Sequence, residues 1–123
     1  MTLAYLMVLV AAMLPYMAVG FAKWRANYNN HAPRTGIEQL AAPKQRAYWA
    51  HLNAFEAFPP FAAAVIIAHL CGASQPVVDG LAITFIAARV AHLLLYIKDY
   101  AALRSIAWTV GVGCVIGLFV AAA

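Results

Sequence analysis

Four long apolar stretches occupy most of this chain, and each has about the length of a membrane-crossing helix. A bilayer core about 30 Å thick is crossed by about 20 helical residues. The sequence is 66% hydrophobic and only 10% charged, whereas soluble domains carry about 25% charged residues. We therefore predict an all-α integral membrane protein, a single four-helix bundle of up-down topology. The predicted spans are residues 3–24, 46–71, 77–97 and 104–121.

The basic residues are distributed unevenly between the loops. The first and third loops and their flanks hold Lys23, Arg25, Arg34, Lys44, Arg46, Lys98 and Arg104, whereas the second loop and both termini hold none. By the positive-inside rule, loops one and three face the cytoplasm and both termini lie on the non-cytoplasmic side, at the inner membrane if the protein is bacterial. The basic residues do not alternate with exposed aromatic residues, so we expect membrane lipid as a partner and not nucleic acid.

Local signals in the loops and in the last span predict further detail. Residues 35–38 (Thr-Gly-Ile-Glu) have the spacing of a capping box, which predicts a short helix to about Ala42. Pro43 then suits the first turn of the second span. Gly113 and Gly117 form a small-xxx-small pattern, which favours a close helix–helix contact.

Glu56 lies deep inside the second apolar span. It is ten residues from Arg46, which places it about 15 Å along a helix. An unpaired charge at that depth costs at least a few kcal/mol, so an intramembrane carboxylate is a functional-site hypothesis. Pro59 and Pro60 follow it and remove two helical donors, which predicts a widened or kinked helix just beyond the carboxylate.

The polar residues of the second and third spans cluster on single helical faces. On the second span these are Arg46, Asn53 and Glu56, and on the third they are Arg89, His92 and Tyr96. Two interpretations follow. In the first, Glu56 and Arg89 form a structural ion pair at equal depth. In the second, residues nearer the cytoplasm form a basic pocket for an anionic, carboxylate-bearing ligand. That pocket would contain Asn53, His92, Tyr96 and Arg104.

Other kinds of site are not supported by the spacing. The four histidines (His31, His51, His69 and His92) are scattered over different depths, so no metal site is expected. No serine or cysteine has a histidine and an acid arranged around it as a hydrolase triad requires. Cys71 and Cys114 are expected at different depths and therefore unbridged.

Residues 46–61, which read RAYWAHLNAFEAFPPF, resemble the second-helix signature of the MAPEG family, the membrane-associated proteins of eicosanoid and glutathione metabolism. The series Arg89, His92, Tyr96 and Arg104-Ser105 resembles the family's signature in helices three and four. The resemblance covers the whole chain, and the first loop is similar to that of bacterial members. It implies a homotrimer that binds glutathione at each subunit interface, open to the cytoplasm, with no metal.

The resemblance also implies roles for individual residues. Asn53 and Glu56 of one subunit would bind glutathione together with Tyr96 of the next, and His92, Arg89 and Arg46 are further expected binding residues. Arg104 would stabilise the glutathione thiolate by lowering the pKa of the thiol, with Ser105 as a hydrogen-bond partner. The expected function is a glutathione-dependent transferase or peroxidase acting on lipophilic small molecules.

Two departures from the family pattern favour a different function. Trp49 stands where the family places an arginine that grips glutathione, and the interval from Tyr96 to Arg104 differs by about one residue. The alternative is a structural or accessory membrane trimer that keeps the fold without glutathione chemistry.

The predicted orientation can be tested with single thiols placed in two loops. A membrane-impermeant reagent applied from the cytoplasmic side should label a cysteine at Asn30 and should not label one at Ser74, in a background without Cys71 and Cys114. The reverse labelling pattern would invert the topology.

Overall fold

Four long helices and one short 3-10 helix make up the computed structural model, which describes all residues 1–123. The long helices are α1 (Leu3–Lys23), α2 (Ala42–Leu70), α3 (Gln75–Ile97) and α4 (Ala101–Ala121). Each of the four is long and apolar enough to cross a membrane, and no strand is present. The predicted all-α four-helix fold is thereby confirmed.

The helix boundaries follow from local chemistry. The hydroxyl of Thr2 accepts a hydrogen bond from the Tyr5 amide and caps the start of α1. α2 begins at Ala42, four residues before the predicted span, because Pro43 fits a first turn whose N–H would have no helical partner. α4 likewise begins three residues early, at Ala101.

The prediction of a capped helix in loop one is wrong. Only Ile37–Gln39 form a single 3-10 turn, and no side chain caps it. Gly36 precedes this turn in the left-handed conformation (φ 74°), and the Thr35 hydroxyl donates to the Ala32 carbonyl instead, at 2.8 Å. The residue that should have capped the helix is therefore engaged on the other side of the turn.

The helices pack as two hairpins. α1 packs mainly on α2 and α3 mainly on α4, while α2 and α3 join the two pairs, and α1 does not touch α4. Phe61 and Phe85 stack at the centre with ring centroids 3.9 Å apart. Alanines surround them, and small residues let membrane helices approach closely.

Prolines do not interrupt the helices. α1 continues through Pro15, and α2 is assigned as one helix through Pro59 and Pro60. The Pro15 carbonyl lies 3.0 Å from Nδ1 of His51. Because a carbonyl can only accept, Nδ1 carries the proton and donates. This bond joins α1 to α2 in the middle of the bundle.

The two glycines of the small-xxx-small pattern have different surroundings. A Cβ added to Gly117 would lie 3.2 Å from Cδ2 of Leu81, so α4 approaches α3 closely at this point. A Cβ on Gly113 would meet nothing within 4 Å. The predicted close contact is therefore made by Gly117 alone within the chain.

Polar contacts join the helix ends furthest from loop one. Oδ1 of Asp79 accepts from the Ala4 amide at 2.7 Å and from the Gln75 side chain at 2.8 Å. The His69 ring stacks on Tyr5 with centroids 4.1 Å apart. These contacts attach the start of α1 to α2 and α3, and they leave the opposite end of the bundle to form the site.

Candidate functional site

A polar groove opens between α2, α3 and α4 toward the end of the bundle that carries loops one and three. Its volume is about 460 Å³, and it is lined by Asn53, His92, Tyr96, Arg104, Ser105, Trp108 and Thr109. The four residues expected to form a basic pocket, together with Ser105, thus lie around one groove. Within the single chain Asn53 shares this groove with Tyr96 and Arg104, whereas the resemblance distributes these residues between two subunits.

Arg104 is held in the groove by an aromatic ring. Its guanidinium carbon lies 4.2 Å from the centroid of the Tyr96 ring, which is a cation–π contact. The contact involves the charge of the guanidinium and leaves its N–H donors to other partners. The edge of Arg104 is therefore available to a carboxylate or a thiolate.

His92 provides an unused polar atom beside this cation. The residue is 3% exposed, and its Nδ1 is buried without a hydrogen-bond partner. Its ring packs edge-on against Tyr96, with centroids 5.6 Å apart. Leaving a buried polar atom unpaired costs about 1–3 kcal/mol, so this nitrogen would gain from a partner, but a ligand reaches it only if the side chains around it move.

The hydroxyls of α4 are directed along their own helix. Ser105 donates to the Ala101 carbonyl at 3.1 Å, and Thr109 donates to the Ser105 carbonyl at 2.9 Å. Each hydroxyl oxygen therefore retains lone pairs that can accept a hydrogen bond from a ligand. In this arrangement Ser105 is an acceptor, complementary to the donors of Arg104.

Arg89 and Glu56 do not contact each other directly, in contrast to the expected ion pair. Nη2 of Arg89, which is 4% exposed, donates to Oδ1 of Asn53 at 2.7 Å. Nδ2 of Asn53 donates in turn to Oε2 of Glu56 at 3.2 Å. Asn53 and Glu56 lie one turn apart on α2, so the amide reaches both charged groups and stands between them. Glu56 itself is exposed on the surface of the single chain.

An apolar cavity of about 290 Å³ adjoins the polar groove. Its lining consists of Asn53, Glu56, Ala57, Pro60, Phe85, Arg89, Trp108, Gly111, Val112, Val115 and Ile116. Only Asn53 and Trp108 line both spaces. These two side chains therefore form the boundary between a basic, polar compartment and a mainly apolar one that also contains Glu56 and Arg89.

Two residues near the start of α2 lie outside the groove of their own chain. Nε of Arg46 donates to the Ile97 carbonyl at 2.9 Å and thereby ties the start of α2 to the end of α3. Trp49 is 44% exposed and lines a separate cavity of about 590 Å³ below loop one, together with Arg34.

Trp108 and Thr109 line the groove but were not predicted from the sequence. Each lies one helical turn after a predicted residue, Trp108 after Arg104 and Thr109 after Ser105. Residues four apart share a helical face, so this spacing was the signal that could have identified them. The structure contains no group of three or more His, Cys, Asp or Glu side chains suited to a metal ion.

The hydrogen bond between Arg89 and Asn53 should matter more to stability than the exposed Glu56. We expect Asn53→Leu to lower the free energy of unfolding by about 1.5–3 kcal/mol, because a buried guanidinium loses its partner. Glu56→Gln retains an acceptor for the Asn53 amide and should therefore change the free energy of unfolding by less. Unfolding with sodium dodecyl sulfate in mixed micelles measures both variants.

The double variant Asn53→Leu/Arg89→Leu provides the control for that experiment. If the contact carries the loss, the two substitutions will be strongly non-additive, since removing both partners leaves no unpaired charge. A larger loss for Glu56→Gln than for Asn53→Leu would contradict the bridging role of Asn53.

Comparison with known proteins agrees with this architecture. No curated protein and no solved structure matches the sequence. Residues 3–123 match the model of the MAPEG family, which is essentially the whole chain. The family is associated with glutathione-related transferase or peroxidase functions in membranes, and its members generally form trimers. The chain, a bundle of four membrane-length helices with a basic groove at one end, belongs to the MAPEG family.

Proposed function

We propose that this protein is a glutathione-dependent transferase or peroxidase that acts on lipophilic electrophiles. The observation that carries the proposal is the contact between two unlike compartments. A polar groove containing Arg104 and an apolar cavity share the side chains of Asn53 and Trp108 as their common wall. A water-soluble thiol and a membrane-soluble electrophile can therefore meet at this wall.

The groove has donors and acceptors that suit glutathione. Glutathione has two carboxylates, which match the guanidinium of Arg104 and the phenol of Tyr96. Its amide and amine N–H groups match the lone pairs of Ser105. His92, Tyr96 and Arg104 come from two adjacent helices, so a ligand here would also join α3 to α4.

Arg104 has the central chemical role in this proposal. Its charge stabilises the thiolate form of glutathione, which is the nucleophilic form. When the sulfur attacks an electrophilic carbon, a C–S bond forms and the displaced electron pair leaves with the leaving group. A fixed guanidinium in a water-poor site stabilises the sulfur charge without the reorganisation that solvent would require.

We further propose that the active assembly is a homotrimer. Glu56 is exposed on the isolated chain although it lies far inside a membrane-length helix. A carboxylate facing lipid at that depth is costly, and a neighbouring subunit that covers it would remove this cost. The same neighbour could add further donors to the polar groove.

Replacement of Arg104 tests the assignment of the thiolate partner. Arg104→Ala should lower kcat by at least about tenfold, because the stabilisation of the sulfur charge is lost. The trimer should persist, since Arg104 contacts its own chain mainly through the Tyr96 ring. Turnover of glutathione with chlorodinitrobenzene in detergent measures the rate, and size-exclusion chromatography with light scattering measures the assembly.

Lys98→Ala is the matched control for this variant. Lys98 is an exposed cation at the end of α3 that does not line the groove, so its loss should leave kcat unchanged. Equal effects of the two substitutions, or an Arg104→Ala protein with full turnover, would refute the role of Arg104.

A second candidate function, a non-catalytic accessory trimer, is favoured by the position of Trp49. An arginine in its place would face the cavity below loop one and would reach a ligand of the polar groove only across a subunit boundary. If the protein does bind glutathione, Arg34, which lines the same cavity as Trp49, is the cation that would take the place of the missing arginine.

Calorimetric titration with glutathione distinguishes the two functions. We expect the native protein to bind glutathione, Trp49→Arg to bind it more tightly, and Arg34→Gln to bind it more weakly. Added positive charge near a dianionic or monoanionic ligand strengthens its binding, and removed charge weakens it. If neither the native protein nor Trp49→Arg binds glutathione at millimolar concentration, the non-catalytic function is the correct one.

A further inference from the structure

A basic cavity separate from the polar groove lies where the end of α1 meets the start of α2. Its volume is about 500 Å³, and it is lined by Phe21, Trp24, Arg25 and Lys44. None of these residues lines the groove or the apolar cavity. Two of the four are cations, and no carboxylate is among them, so the cavity is suited to an anion.

The cations of this cavity are positioned by the backbone. Lys44 donates through Nζ to the Trp24 carbonyl, which holds its ammonium across the gap between the two helices. Arg25 is exposed and has a positive φ of 52°, so the chain turns sharply at this residue as it leaves α1. Lys23 lies next to them, with its ammonium 4.8 Å from the centre of the Tyr28 ring. Two cations therefore line the cavity, and Lys23 adds a third close to them in the sequence.

An exposed apolar stripe continues from these cations along α1. Trp24 is 67% exposed, Phe21 is 45% exposed and Met17 is 67% exposed. Positions 17 and 21 share one helical face, and Trp24 follows directly after the last residue of α1. Tryptophan is also typical of the boundary between the apolar core of a bilayer and its headgroups. The stripe thus runs from the interface toward the bilayer centre, in the direction that an acyl chain would take.

We propose that this cavity binds the headgroup of an anionic phospholipid. The lipid phosphate would lie between Arg25 and Lys44, and one acyl chain would lie along Phe21 and Met17. Basic cavities between transmembrane helices bind anionic headgroups in this way. Free phosphate would contact the cations alone, whereas a phospholipid would contact both the cations and the adjoining apolar stripe, so the combination of the two features favours a lipid.

Fluorescence quenching in nanodiscs tests this proposal, because Trp24 lines the cavity. The protein is placed in phosphatidylcholine nanodiscs that contain increasing fractions of phosphatidylglycerol with brominated acyl chains. A parallel series uses brominated phosphatidylcholine. The same titrations on Trp24→Phe give the fluorescence of Trp49 and Trp108 alone. Subtracting this signal from that of the native protein leaves the quenching of Trp24. We expect half-maximal quenching of Trp24 at a several-fold lower fraction of phosphatidylglycerol than of phosphatidylcholine.

Two arginine substitutions, each of which removes one positive charge, test whether the preference for phosphatidylglycerol arises at this cavity. Arg25→Asn removes a cation and keeps a residue that tolerates positive φ, so the turn should be preserved. It should weaken the preference for phosphatidylglycerol about fivefold. Arg34→Asn removes an exposed cation of the same loop that does not line this cavity, and it should leave the preference unchanged.

Three results would overturn the proposal. The first is equal quenching by the two brominated lipids in the native protein. The second is an equal loss of preference in Arg25→Asn and Arg34→Asn, which would indicate a general surface attraction. The third is release of the quenching by ten-millimolar inorganic phosphate at constant ionic strength. That release would identify a site for the free anion.

Discussion

The hydrogen bond from Arg89 to Asn53 is the constraint on which the rest of the site depends. A guanidinium that is 4% exposed in a membrane-length helix must have a partner, because lipid offers none. The only side-chain partner that the chain supplies is the Asn53 amide, at 2.7 Å. This contact joins α2 to α3 inside the bundle. It also directs Asn53 toward α4, where the side chain lines both the polar groove and the apolar cavity.

Close packing of small residues makes this geometry possible. The core consists mainly of alanines around the stacked Phe61 and Phe85, while many large apolar side chains point outward. This distribution suits a bundle surrounded by lipid, where van der Waals packing and hydrogen bonds, and not burial of large side chains, hold helices together. The contact of Gly117 with Leu81 is an example of such packing, and the bond from His51 to the Pro15 carbonyl is an example of such a hydrogen bond. A site built between such helices keeps its shape without a large hydrophobic core.

The sequence was sufficient to predict the four helices and four of the residues that line the groove, because both depend on periodicity, whereas Trp108 and Thr109 were missed. Apolar length identifies the spans, and the spacing of Asn53, His92, Tyr96 and Arg104 places them on facing surfaces. Charge pairing depends on side-chain reach and was not predictable in the same way. Glu56 and Arg89 lie at similar depth, yet the shorter Asn53 side chain stands between them. The capping pattern of loop one was misleading because Gly36 adopted a left-handed conformation, which a local spacing rule does not anticipate.

Trp108 shows why the boundary between the two compartments matters for chemistry. A thiolate requires cations and hydrogen-bond donors, whereas a lipophilic electrophile is most soluble where these are absent. In the proposed function, the two reactants would therefore meet at a surface between unlike environments. In this chain that surface is formed by one amide side chain and one indole. The indole can contact an apolar molecule with its face, and the amide is already held in place by Arg89 and Glu56. The amide held by these two contacts would therefore offer the kind of fixed dipole that a charged sulfur needs. The larger and more exposed Trp108 would offer its apolar face to molecules of different shape.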